Sequence, residues 1–231
     1  LPSSQENYIC KGGSGYASYI IGRYGAGTND GHLVMYGSSS GSSWDVFNGE
    51  TFGYVSTDVW HHLAFYRIGN NFYGAVNGHV RFIKTYSGSI WNNGADLVVG
   101  SDGGGGSNAD IWVSNFRMVK GNSVYGTSNF TPPSSPLTAI SGTGVLTCNS
   151  STLVDNSGNG LTISNTTGTP TMVSFSLGFP ECIRDHSGNN NQWLPKFFYL
   201  QQASYNTQSG TKDSPTLTDE DTATYPSMYP L

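Results

Sequence analysis

Charge is scarce in this sequence: Asp, Glu, Lys and Arg together make up 11% of 231 residues. The 15 acidic and 10 basic side chains leave a formal net charge of −5, with no basic cluster able to neutralise a row of phosphates, so nucleic-acid binding is not expected. Good helix formers are correspondingly thin, and long helices are poorly supported. Glutamate occurs four times, at Glu6, Glu50, Glu181 and Glu220, and no Glu-x-Asp-x-Glu strand pattern is present to supply the paired carboxylates of a glycosidase. The three cysteines, Cys10, Cys148 and Cys182, are an odd number at wide spacings with no Cys-x-x-Cys. That fits neither a zinc site nor a disulfide framework, and buried free thiols are expected. No apolar stretch approaches the ~20 residues needed to span a bilayer, and nothing resembles a signal peptide, so no membrane insertion is expected. The sequence starts at Leu1 rather than Met and stops at Tyr229-Pro230-Leu231, as a window from a longer polypeptide would.

What the chain has in quantity is glycine, 31 residues, with abundant Ser, Thr and Asn between short runs of Tyr, Phe, Trp, Val and Ile. Aromatic and β-branched side chains fit pleated, half-buried surfaces, and Gly, Asn and Ser supply turns, so an all-β sandwich or barrel is expected. Candidate strands are Tyr16 to Tyr24 and His32 to Tyr36, separated by turn residues throughout. Val59 to Arg67, Phe72 to Val76 and His79 to Ile83 read as a three-stranded meander, because Asn77-Gly78 favours a two-residue hairpin. Leu97 to Val99 is a further short strand. Asp110 to Val119 carries large apolar residues at both parities, which predicts a central strand covered on both faces. Short strands are also expected at 142–148, 160–164 and 172–175. Asp155-Asn-Ser-Gly-Asn159 and Asp185-His-Ser-Gly-Asn189 echo each other as turn sequences.

Beyond about Phe179 the chain becomes polar and Pro-bearing, with no apolar core of its own. Residues 1–180 are therefore expected to form the sandwich, and 181–231 an extended segment that docks against a neighbour.

Several motifs resemble a known family. Trp60-His61-His62-Leu63-Ala64 followed by Val76-Asn77-Gly78 resembles the hairpin of laminin G-like and concanavalin A-like lectin/glucanase domains. Val113-Ser-Asn-Phe-Arg-Met-Val-Lys-Gly121 is more specific. With Val124-Tyr125, Ser128-Asn-Phe-Thr-Pro-Pro133, Pro136-Leu137 and Leu146-Thr-Cys148, it is similar to a signature of virion proteins from tailed phages, many of them marine or cyanobacterial. Asp185-His-Ser-Gly-Asn-Asn-Asn-Gln-Trp193 and Asp213-Ser-Pro215 extend the similarity. The resemblance implies a concanavalin A-like (laminin G-like) antiparallel jelly-roll sandwich in a virion structural protein: tail fibre, appendage or capsid decoration, assembled in the host cytoplasm. Other virion subunits, a homo-oligomer and a host surface glycan are the implied partners. Members of the family usually begin with strands that this chain lacks, which would expose a sheet edge unless the strands at 144–176 or a neighbouring subunit cover it.

A catalytic role is not expected. His61 and His62 are adjacent on an expected strand, point to opposite faces and cannot easily share one metal. The run Asp219-Glu220-Asp221 reads as solvated charge. Calcium is conceivable because laminin G-like domains often carry it at a sandwich rim: Asp102, Asn108 and Asp110 bracket the glycine-rich loop and offer hard oxygen ligands, although such residues usually make turns. Glycan binding, as in a carbohydrate-binding module, would use Tyr36, Trp44 with Asp45, and Trp91 with Asn92, aromatic and polar residues near loops, although aromatic residues in a sandwich are more often core.

Overall fold

The computed structural model describes residues 5–12, 17–102, 107–150 and 152–164, with the backbone of two short strands at 175–176 and 179–180. The chain divides into two units, Leu1–Gly178 and Phe179–Leu231. The expected docking segment 181–231, the second turn echo, Cys182, the acidic run at 219–221 and most of the expected strand at 172–175 lie outside the described residues.

The strands in chain order are β1 (Gln5–Lys11), β2 (Tyr19–Tyr24), β3 (His32–Gly37), β4 (Phe47–Tyr54), β5 (Leu63–Ile68), β6 (Asn71–Val76), β7 (His79–Thr85), β8 (Leu97–Val99), β9 (Phe116–Val119), β10 (Thr143–Thr147), β11 (Phe175–Ser176) and β12 (Phe179–Pro180). No helix forms among the described residues. In the first unit, one antiparallel sheet runs β4-β3-β2-β1-β8, a second β5-β6-β7, and β9 pairs with β10. The fold is all-β and antiparallel, and the two larger sheets share one core.

That core lies where β4 meets β6 and β7. Ile21, Leu33, Met35, Val46, Phe47, Phe52, Val55 and Phe72 are buried there, with Phe65, Val76 and Ile83 packed around them. Phe47 stands edge-on to Phe72 at 4.9 Å, and Phe65 stacks on Phe72 at 5.9 Å. The sheets approach closely because two glycines leave room: a Cβ at Gly74 would collide with the Phe52 ring, and one at Gly53 with Val76. Each fully buried aromatic or aliphatic side chain contributes roughly 1.5–3 kcal/mol. The opposite face of the five-stranded sheet is also apolar, with Cys10, Ile20, Val34 and Tyr36 buried. Leu33-Val34-Met35-Tyr36 is thus the run covered on both faces, and β3 occupies an interior position in its sheet.

Several expectations need correction. Asp110–Val119 is not a central strand. Only Phe116–Val119 is extended and paired, and Trp112 is 55% exposed. The cause is Asn115, which adopts φ 57°. Its N–H donates to the Cys148 carbonyl at 2.8 Å, and its Oδ1 accepts the Leu137 N–H at 2.7 Å. Residues 160–164 form no strand either: Gly158 and Gly160 take φ 86° and 68°, and the Asp155 carboxylate gathers the N–H groups of Leu146, Ser157 and Leu161. Burial opposes ionisation of Asp155, but the Ser157 hydroxyl and these N–H donors prevail and hold its carboxyl at about 2. The strand expected from Val59 begins only at Leu63, so His61 and His62 lie on an irregular approach to β5. Finally, β10 pairs with β9 and does not cover an edge of the five-stranded sheet, whose outer strands are β4 and β8.

Candidate functional site

Two motifs distant in sequence meet on the outer face of β5-β6-β7. Tyr66 faces Tyr73 across one pair of strands, and Tyr73 faces Phe82 across the next. Their rings form a row, stacked at 5.6 Å between Tyr66 and Tyr73 and edge-to-face at 5.8 Å between Tyr73 and Phe82. Cross-strand aromatic pairs of this kind stabilise a sheet by up to about 1 kcal/mol each. Tyr125 continues the row at 5.9 Å from Tyr66 and stacks on Phe130 at 3.8 Å, while His62 stands edge-on to both.

Polar bonds lock this arrangement. The Tyr66 hydroxyl donates to the Gly126 carbonyl at 2.8 Å, the Phe130 N–H to the Gly78 carbonyl at 3.0 Å, and the Val80 N–H to Asn129 Oδ1 at 2.9 Å. Asn77 Oδ1 accepts the His62 N–H at 2.9 Å, and Asn77 Nδ2 lies 3.2 Å from His61 Nδ1. The Trp60-His-His and Val-Asn-Gly motif and the Tyr125 to Phe130 motif are therefore two halves of one clasp. Neither motif alone signals the contact, because it depends on a tertiary encounter between a hairpin and a distant irregular segment.

His62 Nε2 lies 3.1 Å from the Tyr125 hydroxyl, and its Nδ1 is buried without a partner. Protonation would add an N–H with no acceptor, and burial pushes the imidazole below its ordinary value of 6.5. The unfolded chain therefore binds a proton that the folded chain resists. Stability from this group is complete above pH 6.5 and declines as pH falls through that value. Urea unfolding at pH 7.5 and 5.5 should show this decline, and His62→Gln should flatten it; an unchanged slope in the variant would contradict the assignment.

The expected glycan residues surround the serine-rich loop between β3 and β4. Trp44 packs at 5.5 Å on Tyr36, which is itself 7% exposed and bonds through its hydroxyl to that of Tyr24 at 3.1 Å. The Asp45 carboxylate accepts from the Ser39 hydroxyl, the Ser39 N–H and the Ser38 hydroxyl, and these bonds, led by the Ser39 hydroxyl, lower its pKa. The Trp91 ring lies against Gly41, and the Trp91 backbone N–H donates to the Ser38 carbonyl at 2.8 Å. Asn92 Oδ1 accepts from the Gly94 N–H at 3.4 Å, making a local turn. The structure thus brings Tyr36, Trp44, Asp45 and Trp91 together, and the bonds described organise the loop itself.

Asp102 is half-buried, while Asn108 and Asp110 are exposed. Their segment is closed by the Ala109 N–H bond to the Gly100 carbonyl at 2.9 Å, and residues 103–106 between them lie outside the described residues. Among the described residues no group of three or more His, Cys, Asp or Glu side chains gathers into a metal cage. Cys10 is a buried free thiol, pushed up to about 11 by burial and then by Asp102, and Cys148 is free and half-buried.

A cleft of ≈ 370 Å³ opens between the two larger sheets at the end of β4, beside the β6-β7 turn. Tyr54, Val76, His79 and Arg81 line it. Tyr54 and Arg81 sit on different sheets, so sequence spacing carries no signal of their proximity. No family model, curated protein or solved structure matches the chain.

Proposed function

We propose that this chain is a non-catalytic structural and adhesion module of a tailed-phage particle, in a tail fibre, appendage or capsid-associated position, built on a concanavalin A-like jelly-roll sandwich. The clasp supports this reading most directly. The residues that carry the family resemblance, from His62 and Asn77 to Tyr125 and Phe130, are engaged in closing the fold onto itself. Asn115 and Cys148, from the remaining motif segments, fix the approach to β9. A sequence pattern used in this way encodes a rigid scaffold that presents surfaces. Its partners are other virion subunits, within a homo-oligomer docked through residues 181–231.

The test is mass spectrometry of particles purified by density gradient from the source. Peptides of this chain should co-sediment with the particles at a fixed ratio to the other virion proteins; recovery only from the soluble fraction would overturn the reading. A second reading, a carbohydrate-binding module that recognises host surface glycans, is favoured by the open cleft beside an exposed tyrosine.

A further inference from the structure

We propose that two copies of this chain join edge to edge along β5, antiparallel about a two-fold axis at Phe65, so that their second sheets become one continuous sheet. The pairing goes beyond the virion reading and does not rest on it.

The register of the second sheet shows which backbone groups are spare. The two-residue turn Gly69-Asn70 makes Ile68 and Asn71 a hydrogen-bonded pair, and the Asn77 N–H bond to the His62 carbonyl at 2.8 Å fixes the same parity at the other end. Ala64, Tyr66 and Ile68 therefore direct their N–H and C=O groups at β6. Leu63, Phe65 and Arg67 direct theirs away from it, and among the described residues nothing bonds them.

The other long edges are defended. On β7 the outward Val80 N–H is taken by Asn129 Oδ1 at 2.9 Å, and the pairing with β6 shifts register at Phe72. On β4 the Asn48 N–H is taken by the Glu50 carboxylate, Lys84 Nζ donates to the Val46 carbonyl at 2.6 Å, and two register shifts interrupt the pairing with β3. β8 has three residues, and beyond it β1 bonds Ser107 and Gly100. Short, bulged or capped edges resist pairing with another chain. β5 has none of these devices: six residues pair with β6 without a shift, no proline is present, and the one charged side chain, Arg67, is bonded to the Gly69, Tyr86 and Gly88 carbonyls. Its apolar side chains are also incompletely covered. Leu63 is 38% exposed, and Phe65 is only partly buried although it packs on Phe47 and Phe52.

A second copy is the occupant because this edge is complementary to itself. With the axis at Phe65, Leu63 lies opposite Arg67 of the second copy and Phe65 opposite Phe65, each pair exchanging two bonds, about six in all. Shifting the register by two residues either way leaves Leu63 or Arg67 without an opposite residue in β5. On the outer face Ala64 meets Tyr66 of the second copy, small against large, and no like charges are opposed. The same patch on both copies gives a closed two-fold contact. One strand pair is a small interface, so the dimer is weak, with a Kd of about 100 μM.

The test combines sedimentation velocity with amide hydrogen exchange of the full chain at ~10 μM and ~1 mM. The chain should be mainly monomer at the lower concentration and mainly dimer at the higher. The Leu63, Phe65 and Arg67 amides should exchange about fourfold more slowly at the higher concentration, while those of Ala64, Tyr66 and Ile68 stay protected at both. Leu63→Lys sets a cation opposite Arg67 of the second copy at both ends of the contact and should keep the chain monomeric at ~1 mM; Leu63→Val should still dimerise. Should Leu63→Lys fail to fold, exchange in the unaltered chain decides alone. A monomer at ~1 mM, or a dimer whose three edge amides exchange at the same rate at both concentrations, would overturn the pairing. So would slow exchange of those amides in the monomer, which would mean that another part of the same chain covers β5, or dimerisation that a folded Leu63→Lys leaves intact. Co-sedimentation with particles is read separately, so loss of this contact and loss of the virion reading remain distinguishable.

Discussion

Replacing Gly78 with alanine is expected to lower the stability of the first unit by about 2 kcal/mol or more. Gly78 sits at φ 80°, and a Cβ built on it collides with the Phe130 carbonyl oxygen. The left-handed backbone alone costs a non-glycine residue roughly 1 kcal/mol. Moving Phe130 away also strains its N–H bond to the Gly78 carbonyl and its stack on Tyr125, which adds a hydrogen bond worth about 1 kcal/mol. Gly69 provides the control. It has φ 57°, but a Cβ there would meet nothing within 4 Å, so Gly69→Ala should show the backbone cost alone. Urea unfolding of both variants separates the terms, and equal losses would mean that the clasp contributes nothing.

Phe47→Ala is expected to be still more damaging, by about 3–5 kcal/mol. Phe47 is 0% exposed, contacts Phe65 and Phe72 across the two sheets, and lies under the Lys84 ammonium at 5.9 Å. Its removal leaves a cavity where β4 meets the second sheet, a place that cannot collapse without separating the layers. Phe82→Ala, on the outer face and 54% exposed, should cost about 1 kcal/mol or less. The two variants compared by urea unfolding test whether β4 joins the sheets: a Phe47→Ala loss no larger than that of Phe82→Ala would contradict it.

The parts of this fold that are legible in the sequence are those set by local chemistry. Asn77-Gly78 marks its hairpin because both residues adopt positive φ, 51° and 80°, and the strands on either side follow from that turn. β2 and β3 are legible as uninterrupted β-prone runs between turn residues. β1 is not, because it carries Gln5 and Asn7, polar side chains that the fold buries at 4% and 0% exposure and bonds to each other at 2.7 Å. β4 is obscured because Gly49 and Gly53 and two register shifts against β3 interrupt its alternation. Asp110 to Asn115 misleads for the opposite reason. Its apolar residues suggest a covered strand, but the backbone of Asn115 and the tie to Leu137 turn that stretch aside.

The candidate site divides along the same line. Tyr36, Trp44, Asp45 and Trp91 are recognisable as aromatic and polar residues near loops, and they do converge, although around a serine-rich loop that engages the Asp45 carboxylate and the Trp91 backbone N–H for its own conformation. The cleft is not legible, because Tyr54 and Arg81 become neighbours only when β4 and β7 pack together. The clasp is half legible: both motifs stand out, and their contact does not.

Amide hydrogen exchange across the unaltered chain tests the clasp most directly. If the family motifs close the fold, the Phe130 amide, bonded to the Gly78 carbonyl, and the Val80 amide, bonded to Asn129, should exchange as slowly as the amides within β5-β6-β7. Exchange of the Tyr125 to Phe130 segment at the rate of a free loop, while the hairpin stays protected, would contradict a scaffold built from those motifs.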